Sequence, residues 1–280
     1  MKTTEELERI ATTLRKDIVN MLATAGSGHS GGALGMADIF SALYFSVLNL
    51  RPTEPLWEGR DRFYLSNGHI VPVQYAAMAE AGFFPKSELL TLRKLGSRLQ
   101  GHPERHTLPG IENTSGPLGD GSPQSVGAAY LAKQENKPWK TYCVLSDGEL
   151  QAGITWEAAL FASKNQLGNL TWIIDRNVIQ IDGKTEDIMP LEPLHEKFQA
   201  FGFHVIEVNG HDIGEFVEAC SVETDGDPKV IIAHTIPGKG VHYMEGDYRW
   251  HGSPPGAGPD DLVAKEHQLS EALEDLTRTV

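Results

Sequence analysis

Two features of the sequence predict an α/β fold with a doubly wound, mainly parallel sheet and helices on both faces. First, short apolar runs typical of buried strands alternate with segments whose apolar residues recur at helical spacing. Second, this alternation builds βαβ units, whose parallel sheets are covered on both sides. The predicted strands are 62–65, 141–145, 170–175, 204–208 and 230–234. The predicted helices are 5–23, 36–48, 71–81, 87–94, 125–134, 155–165, 216–220 and 260–277.

The first part of the chain is predicted to be mainly helical. Leu7, Ile10 and Leu14 recur at helical spacing in the first helix, behind Thr4 as its predicted N-cap. A glycine-rich segment ends this helix. The second helix is apolar nearly all round and is therefore predicted to be buried. A short strand and two more helices follow it.

The centre of the chain carries the clearest strands. The stretch 101–123 has little periodic signal, and loops of this length usually serve a site. Beyond it, a helix rich in Ala and Gly is suited to close packing. The runs TYCVL (141–145) and LTWIID (170–175) are predicted strands, and the helix 155–165 links them. Two further strands flank a short helix, and an amphipathic helix, 260–277, closes the domain.

Composition limits the classes of function. The 280 residues contain no repeat, low-complexity segment or linker, so we expect one domain over 1–280. A formal charge of −14 argues against nucleic acid as a partner. We find neither a signal peptide nor an apolar stretch long enough to span a membrane. Two unclustered cysteines, Cys143 and Cys220, indicate a reducing compartment, and we expect a cytoplasmic location.

Polar residues follow two neighbouring predicted strands. Asp147 comes just after one strand, and Asn177 follows the next, 30 residues further on. Because parallel strands end at the same edge of the sheet, we expect both side chains at the edge where ligands bind. Their hard oxygens suit Mg²⁺ or Ca²⁺, and Gly148 would let a phosphate approach the backbone. The alternative from these residues alone is a strand-to-helix turn with Asp147 as a cap.

The segment around this pair resembles the thiamine diphosphate fingerprint. SDG at 146–148 is followed by WEAALFASKNQLGNLTWIIDRN. In that fingerprint a GDG and a later Asn hold the metal that bridges the cofactor's diphosphate. The resemblance implies that Asp147, Asn177 and the backbone carbonyl of Ile179 are the metal ligands. Ser146 stands where the fingerprint has its first Gly.

Five further blocks are similar to the N-terminal half of transketolase, in the same order. They are SGHSGGALGMAD (27–38), RDRFYLSNGH (60–69), LGSRLQGHPE (95–104), GPLGDG (116–121) and WHGSPP (250–255). The resemblance covers nearly the whole chain. It implies thiamine diphosphate and Mg²⁺ (or Ca²⁺) as cofactors. It also implies transfer of a two-carbon ketol unit from a ketose phosphate to an aldose phosphate, as in the pentose phosphate pathway.

The resemblance assigns roles to four histidines. His69 and His251 match histidines that approach the diphosphate, and His251 also faces the substrate. His29 matches one that handles the sugar hydroxyls, and His102 matches one at the substrate and the cofactor's amino group. Histidine suits these tasks because it donates hydrogen bonds to phosphate and moves protons near neutral pH.

The resemblance also assigns roles to two residues of the loop beside the cofactor, and the sequence departs from the family at two further positions. Gly116 offers backbone beside the cofactor, and Leu118 supports its bent conformation. Ser30 replaces the usual Pro after the first GH, which we expect to loosen that loop. Ala152 replaces a Glu near the family's subunit interface, so we expect any proton link between active sites to be weakened.

The family's catalytic Glu comes from a pyrimidine-binding domain, which also carries the arginines that bind the sugar phosphate. No such α/β block follows in this sequence. A truncated chain or a natural two-chain enzyme would explain this. The helix 260–277 and the GKGVHYME stretch at 238–245 favour the natural split. We therefore expect the partner to be a separate C-terminal transketolase subunit, in an α2β2 heterotetramer.

Three alternatives remain open. The chain could be a non-catalytic protein for cofactor binding or assembly, a reading that Ser146 and Ala152 support and the four histidines oppose. It could be the N-terminal part of a related thiamine enzyme, either a deoxyxylulose phosphate synthase or a 2-oxoacid dehydrogenase α chain. A zinc hydrolase is least favoured, because the sequence lacks an HExxH motif or closely spaced Cys and His ligands.

Overall fold

The strands of the protein form one parallel sheet and one small hairpin. The computed structural model describes residues 2–278. Within that range the strands are β1 (Arg62–Leu65), β2 (Thr141–Ser146), β3 (Leu170–Arg176), β4 (Ile179–Gln180), β5 (Gly183–Lys184), β6 (His204–Asn209) and β7 (Lys229–His234). The main sheet has the order β1-β2-β3-β7-β6, and all its neighbouring strands are parallel. β4 and β5 pair antiparallel beyond the end of β3.

The helices pack on both faces of this sheet. They are α1 (Thr4–Ala25), α2 (Gly31–Gly35), α3 (Ala37–Ala42), α4 (Val71–Ala81), α5 (Gly121–Gln134), α6 (Gly153–Lys164), α7 (Thr185–Ile188), α8 (Leu194–Ala200), α9 (Ile213–Ser221) and α10 (Gln268–Arg278). Short 3₁₀ turns include Gly68–Ile70, Lys86–Thr91, Gly148–Gln151, Tyr248–Trp250 and Lys265–His267. Of the described helices, none is both long and apolar enough to cross a membrane.

Alternate residues of the central strands point into two separate cores. Val144 of β2 and Ile173 of β3 face a core that contains α1, α3, α4, α9 and α10. Leu145 and Trp172 face the opposite core, which α5, α6 and α8 cover. The predicted fold class, a mainly parallel sheet with helices on both faces, is confirmed.

The register of the strands places the carboxyl ends of β2, β3 and β7 side by side. Asp175 of β3 lies opposite Ser146 of β2 on one side and opposite Ala233 of β7 on the other. The residues that follow these three strands therefore emerge side by side at one edge. In open α/β sheets this edge is the usual ligand site.

Several predicted helix bounds are corrected by the structure. Thr3 rather than Thr4 caps α1, through a reciprocal capping box with Glu6. The predicted helix 36–48 is an α-helix only to Ala42 and continues as a π-helical segment, Leu43–Val47. The predicted helix 87–94 is the 3₁₀ turn Lys86–Thr91. α5 and α9 each start three or four residues before the predicted bounds.

The predicted helix 260–277 starts only at Gln268, for a reason visible in its side chain. Gln268 is fully buried, and its amide accepts the Gly256 N–H while it donates to the carbonyls of Pro259 and Val263. Backbone groups before α10 are thus satisfied by this side chain instead of by helical partners.

Helix α2 forms inside the glycine-rich segment and was not predicted. Its glycines allow close approach to neighbouring chain: a Cβ on Gly35 would lie 2.9 Å from the carbonyl oxygen of Ile236, and one on Gly32 would lie 2.8 Å from Ile70. Because α2 packs through residues that have no side chain, its sequence shows no apolar periodicity. The short helix α8 and the β4–β5 hairpin were also not predicted.

Candidate functional site

A cavity of ≈ 360 Å³ opens at the carboxyl edge of the sheet. Its volume lies in the range of about 300–1,000 Å³ that is usual for small-molecule sites. Nine of the ten predicted site residues line it: His29, His69, His102, Gly116, Leu118, Gly148, Asn177, Ile179 and His251. The tenth, Asp147, is fully buried beside the cavity wall, between the lining residues Ser146 and Gly148.

Four loops that are far apart in sequence bring the four histidines together. His29 lies between α1 and α2, His69 is in the turn after β1, His102 is in the long loop before α5, and His251 follows the turn Tyr248–Trp250. The ring of His29 is at the centre: its centroid lies 5.1 Å from that of His69, 6.3 Å from His102 and 5.6 Å from His251. The centroids of His69 and His251 are 5.0 Å apart.

Burial favours the neutral form of all four histidines of this cluster by lowering the pKa of each ring. It lowers the pKa of His29 to about 4, with a further contribution from His251, and it lowers the pKa of His69 and His251 as well. The pKa of His102 is lowered by burial and then by the nearby Arg93 guanidinium. Each neutral ring has one N–H donor and one nitrogen acceptor. The Nδ1 atom of His29 is buried and has no hydrogen-bond partner within residues 2–278.

The carboxylate of Asp147 is held by three donors. Its Oδ1 atom accepts the Gly148 N–H at 2.7 Å. Its Oδ2 atom accepts the Val178 N–H at 2.8 Å and Nη1 of Arg176 at 3.0 Å. Burial raises the pKa of Asp147, and the Arg176 guanidinium opposes that rise. Val178 has a φ of 58°, an unusual value for a β-branched residue, so the contact with Asp147 helps to hold a strained turn.

The amide of Asn177 has one defined orientation. Its Nδ2 atom donates to Oδ2 of Asp175 at 2.8 Å, and its Oδ1 atom accepts the Ile179 N–H at 3.1 Å. Asp175 is itself held by the hydroxyl of Thr235 at 2.5 Å, and burial raises its pKa to about 7. The Asn177 oxygen is thereby turned toward Ile179, which lines the cavity.

The oxygen atoms of Asp147, Asn177 and Ile179 are of the kind that a hard divalent cation binds. A carboxylate, an amide oxygen and a carbonyl oxygen suit Mg²⁺ or Ca²⁺, which take further oxygens from water or a ligand. No group of three His, Cys, Asp or Glu side chains in the described part of the chain is arranged to hold a metal. A metal at this edge would therefore depend on amide, carbonyl and ligand oxygens.

Glu149 anchors the loop that carries Gly116 and Leu118, and sequence reasoning missed it. Its fully buried carboxylate accepts the Gly119 N–H at 2.5 Å, the Ser146 N–H at 3.1 Å and the Ser66 hydroxyl. It thus joins the ends of β1 and β2 to the loop before α5. Glu149 comes two residues after the predicted ligand Asp147. An acidic residue at that position is typical of an exposed side chain in the first turn of a helix, so nothing in the sequence indicated its buried contacts.

The other lining residues that were missed lie at the end of β2, in the turn after it and on the β4–β5 hairpin. They are Ser146, Gln151, Gln180, Ile181 and Asp182. Nε2 of Gln151 donates to Oε1 of Gln180 at 3.1 Å, which joins the turn after β2 to the β4–β5 hairpin. Strands of two residues carry too little pattern to predict from sequence.

The structure corrects the expectation that Ser30 loosens its loop, because Ser30 holds the loop in place through a hydrogen bond. The Ser30 side chain is almost fully buried, and its hydroxyl donates to the carbonyl oxygen of Ser253 at 2.7 Å. This bond connects the loop of His29 to the segment of His251, so Ser30 contributes to the geometry of the cluster.

The fold and this edge define a doubly wound α/β domain with a small-molecule cavity at the carboxyl edge of its sheet. The model of the family described as "Transketolase, thiamine diphosphate binding domain" matches residues 7–270. The chain belongs to this family of thiamine diphosphate-binding transketolase domains.

Relatives of the same length and longer relatives both match. An apulose-4-phosphate transketolase subunit of Actinobacillus succinogenes is 39% identical over 264 residues, covering 94% of this chain and 96% of the relative. The 6-deoxy-6-sulfo-D-fructose transketolase subunit SqwG of Clostridium sp. is 39% identical over 248 residues, covering 88% of this chain and 90% of the relative. The transketolase structure from Leishmania mexicana matches with a TM-score of 0.88 and 34% identity, over 99% of this chain and 42% of that one. The chain thus spans less than half of that solved transketolase.

We predict that Glu149→Gln loosens the loop 116–120, which precedes α5. The substitution replaces one acceptor oxygen with an NH₂ group that faces donors, which should cost about 1–3 kcal/mol of unfolding free energy. Hydrogen exchange of backbone amides in 116–121 should accelerate. Glu157→Gln, on an exposed position of α6, is the matched control and should change neither quantity. Equal exchange rates in the two variants would contradict the anchoring role.

We predict that His29 makes the chain less stable in mild acid. Its pKa is about 4 in the folded state and near its ordinary value of 6.5 in the unfolded state. Between these values the unfolded state binds more protons, so stability falls as the pH drops from 6.5 toward 4. His29→Asn should flatten this decline in the thermal unfolding midpoint, whereas His204→Asn, at an exposed position, should keep it. Identical pH profiles for the two variants would exclude this assignment.

Proposed function

We propose that this chain is the N-terminal subunit of a two-chain transketolase. It binds thiamine diphosphate and a divalent metal, Mg²⁺ or Ca²⁺. With a separate C-terminal subunit it transfers a two-carbon ketol unit from a ketose phosphate to an aldose phosphate. The observation that carries the proposal is the cavity that gathers the four histidines, Asn177 and Ile179, in a chain that matches a separate transketolase subunit over nearly its full length.

Three groups of this chain would bind the diphosphate. His69 and His251 each offer a ring N–H, and their rings lie only 5.0 Å apart. A neutral donor avoids the cost of burying a charge in the cavity wall. Gly148 lines the cavity and has no side chain, so the diphosphate could approach its backbone closely.

Asp147, the Oδ1 atom of Asn177 and the carbonyl of Ile179 are the proposed metal ligands. The orientation of the Asn177 amide supports this, because its hydrogen bond to Asp175 leaves the oxygen on the side of Ile179. Hydrogen-bonded partners that orient a ligand in this way strengthen metal sites. The metal would offset the charge of the diphosphate on a chain whose formal charge is −14.

His29, His102 and, in a second role, His251 would handle protons of the sugar. When bound, thiamine diphosphate supplies the carbanion chemistry. His29 Nδ1 has no partner within residues 2–278, so it is free to accept or donate a hydrogen bond to a substrate hydroxyl. His102 and His251 line the same cavity and are proposed to act as further substrate contacts.

A separate partner is supported by the lengths of the relatives and by the surface at the cavity. This chain covers 96–97% of two relatives that are named as transketolase subunits, but only 38–40% of relatives named transketolase. The cavity rim exposes large apolar side chains: 45% of Leu118 and 66% of Ile181 are accessible. Such a surface suits cover by a second protein chain, which would bring the pyrimidine-binding domain and its catalytic Glu in an α2β2 assembly.

We predict that the purified chain alone does not transfer ketol units. With thiamine diphosphate, Mg²⁺, a ketose phosphate and an aldose phosphate, no product should form, because in this proposal the partner subunit supplies the catalytic Glu. Adding the C-terminal subunit that co-purifies from native lysate should start turnover. His251→Ala in the same mixture should lower kcat/KM by at least about 100-fold, in the range typical of lost acid–base groups. Turnover by the isolated chain, or none by the pair, would overturn the proposal.

A further inference from the structure

Arg176 is a buried cation at the edge where the metal ligands lie. It is the last residue of β3, and only 4% of its side chain is exposed. Nη1 donates to the Asp147 carboxylate at 3.0 Å. Nη2 donates to Glu186 and to Glu192, both at 2.7 Å. The guanidinium therefore lies between a predicted metal ligand and two acids of the segment before α8.

The pairing with Asp147 offsets a cost of burial. The Asp147 side chain is fully buried, and a buried carboxylate without a compensating charge is strongly unfavourable. Its other two donors are the backbone N–H groups of Gly148 and Val178, which carry no net charge. Among its hydrogen-bond partners in the described chain, Arg176 is therefore the one that neutralises Asp147.

The Nη2 atom of Arg176 holds the segment before α8 in place through two carboxylates. Glu186, which it binds, accepts the backbone N–H of Leu191, and Glu192 accepts the backbone N–H of Leu194. One guanidinium thus connects the end of β2 to the start of α8. Three carboxylates around one guanidinium leave a formal charge of −2, which a dication would balance.

We propose that Arg176 takes the place of the metal's charge in the metal-free chain. It neutralises and positions the Asp147 carboxylate until Mg²⁺ arrives with thiamine diphosphate, and the dication then shares that carboxylate. The inference rests on the proposed metal site. It makes Arg176 a positioning residue, and it predicts that Arg176 and the metal stabilise the same carboxylate and so partly replace each other.

The test compares thermal unfolding midpoints of the full chain in excess chelator and in Mg²⁺ plus thiamine diphosphate. In chelator, Arg176→Met should lower the midpoint by on the order of 10 °C, because it leaves Asp147 buried and unpaired. With Mg²⁺ and thiamine diphosphate, at least half of that loss should be recovered. The stabilisation by ligand is then larger in the variant than in the wild type.

Two further variants keep the comparison interpretable. Arg60→Met breaks another well-buried pair, whose Arg60–Glu112 distance is 2.6 Å, and should lower the midpoint equally in both conditions. Arg176→Lys keeps the charge, so its loss in chelator and its recovery should both be smaller than those of Arg176→Met. If Arg176→Met does not fold, Arg176→Gln, which is also neutral, takes its place, and a stabilisation by Mg²⁺ and thiamine diphosphate no larger than in the wild type would overturn the proposal.

The outcomes separate the role of Arg176 from the metal site itself. If the wild type is stabilised by Mg²⁺ and thiamine diphosphate, but Arg176→Met gains no more than the wild type does, the role of Arg176 is refuted and the metal site stands. If the wild type gains nothing from Mg²⁺ and thiamine diphosphate, the proposed site fails and the inference fails with it.

Discussion

The level carboxyl ends of β2, β3 and β7 are the constraint on which the rest of the site depends. The ladder that places Asp175 between Ser146 and Ala233 brings the residues after each strand to one edge. Asp147, Asn177 and Thr235 then lie close enough to share hydrogen-bond partners. A slip of one residue in this register would turn alternate side chains to the other face and separate these groups.

Charge at this edge is controlled by burial and by pairing. The chain is strongly acidic, yet the cavity wall presents neutral imidazoles and one oriented amide, and the buried Asp147 carboxylate beside the wall is compensated by Arg176. Neutral histidines and paired acids remain stable in a partly dry cavity, whereas bare charges would not. An anionic cofactor would therefore meet neutral donors, and a dication would meet hard oxygens, with the Asp182 carboxylate as a further group at the cavity.

The fold was largely predictable because its signals are local. Buried strands such as TYCVL and LTWIID and the capped, amphipathic α1 carry their pattern within a few residues, and all five main strands were predicted within two residues of their bounds. Errors arose where tertiary contacts decide the local structure. The Gln268 side chain displaces the start of α10, and α2 is stabilised by glycine packing that leaves no periodic signal.

The candidate site was predictable in part, for a related reason. Histidines in recognisable blocks were predicted together, and the structure does place them around one cavity. Glu149 and Arg176 were missed because their importance lies in partners that are distant in the chain, Ser66 and Gly119 for Glu149, and Glu186 and Glu192 for Arg176. No spacing in the sequence marks such contacts.

The measurement that tests the central claim most directly is a calorimetric titration of thiamine diphosphate into the purified chain. It should be made in Mg²⁺ and in excess chelator, with Asn177→Ala as the variant and Asn165→Ala, at a partly exposed position after α6, as the control. We expect saturable binding that needs Mg²⁺ and weakens by at least about tenfold in Asn177→Ala only. Binding that is equally strong in chelator, or unchanged in Asn177→Ala, would contradict a metal-bridged diphosphate at this edge.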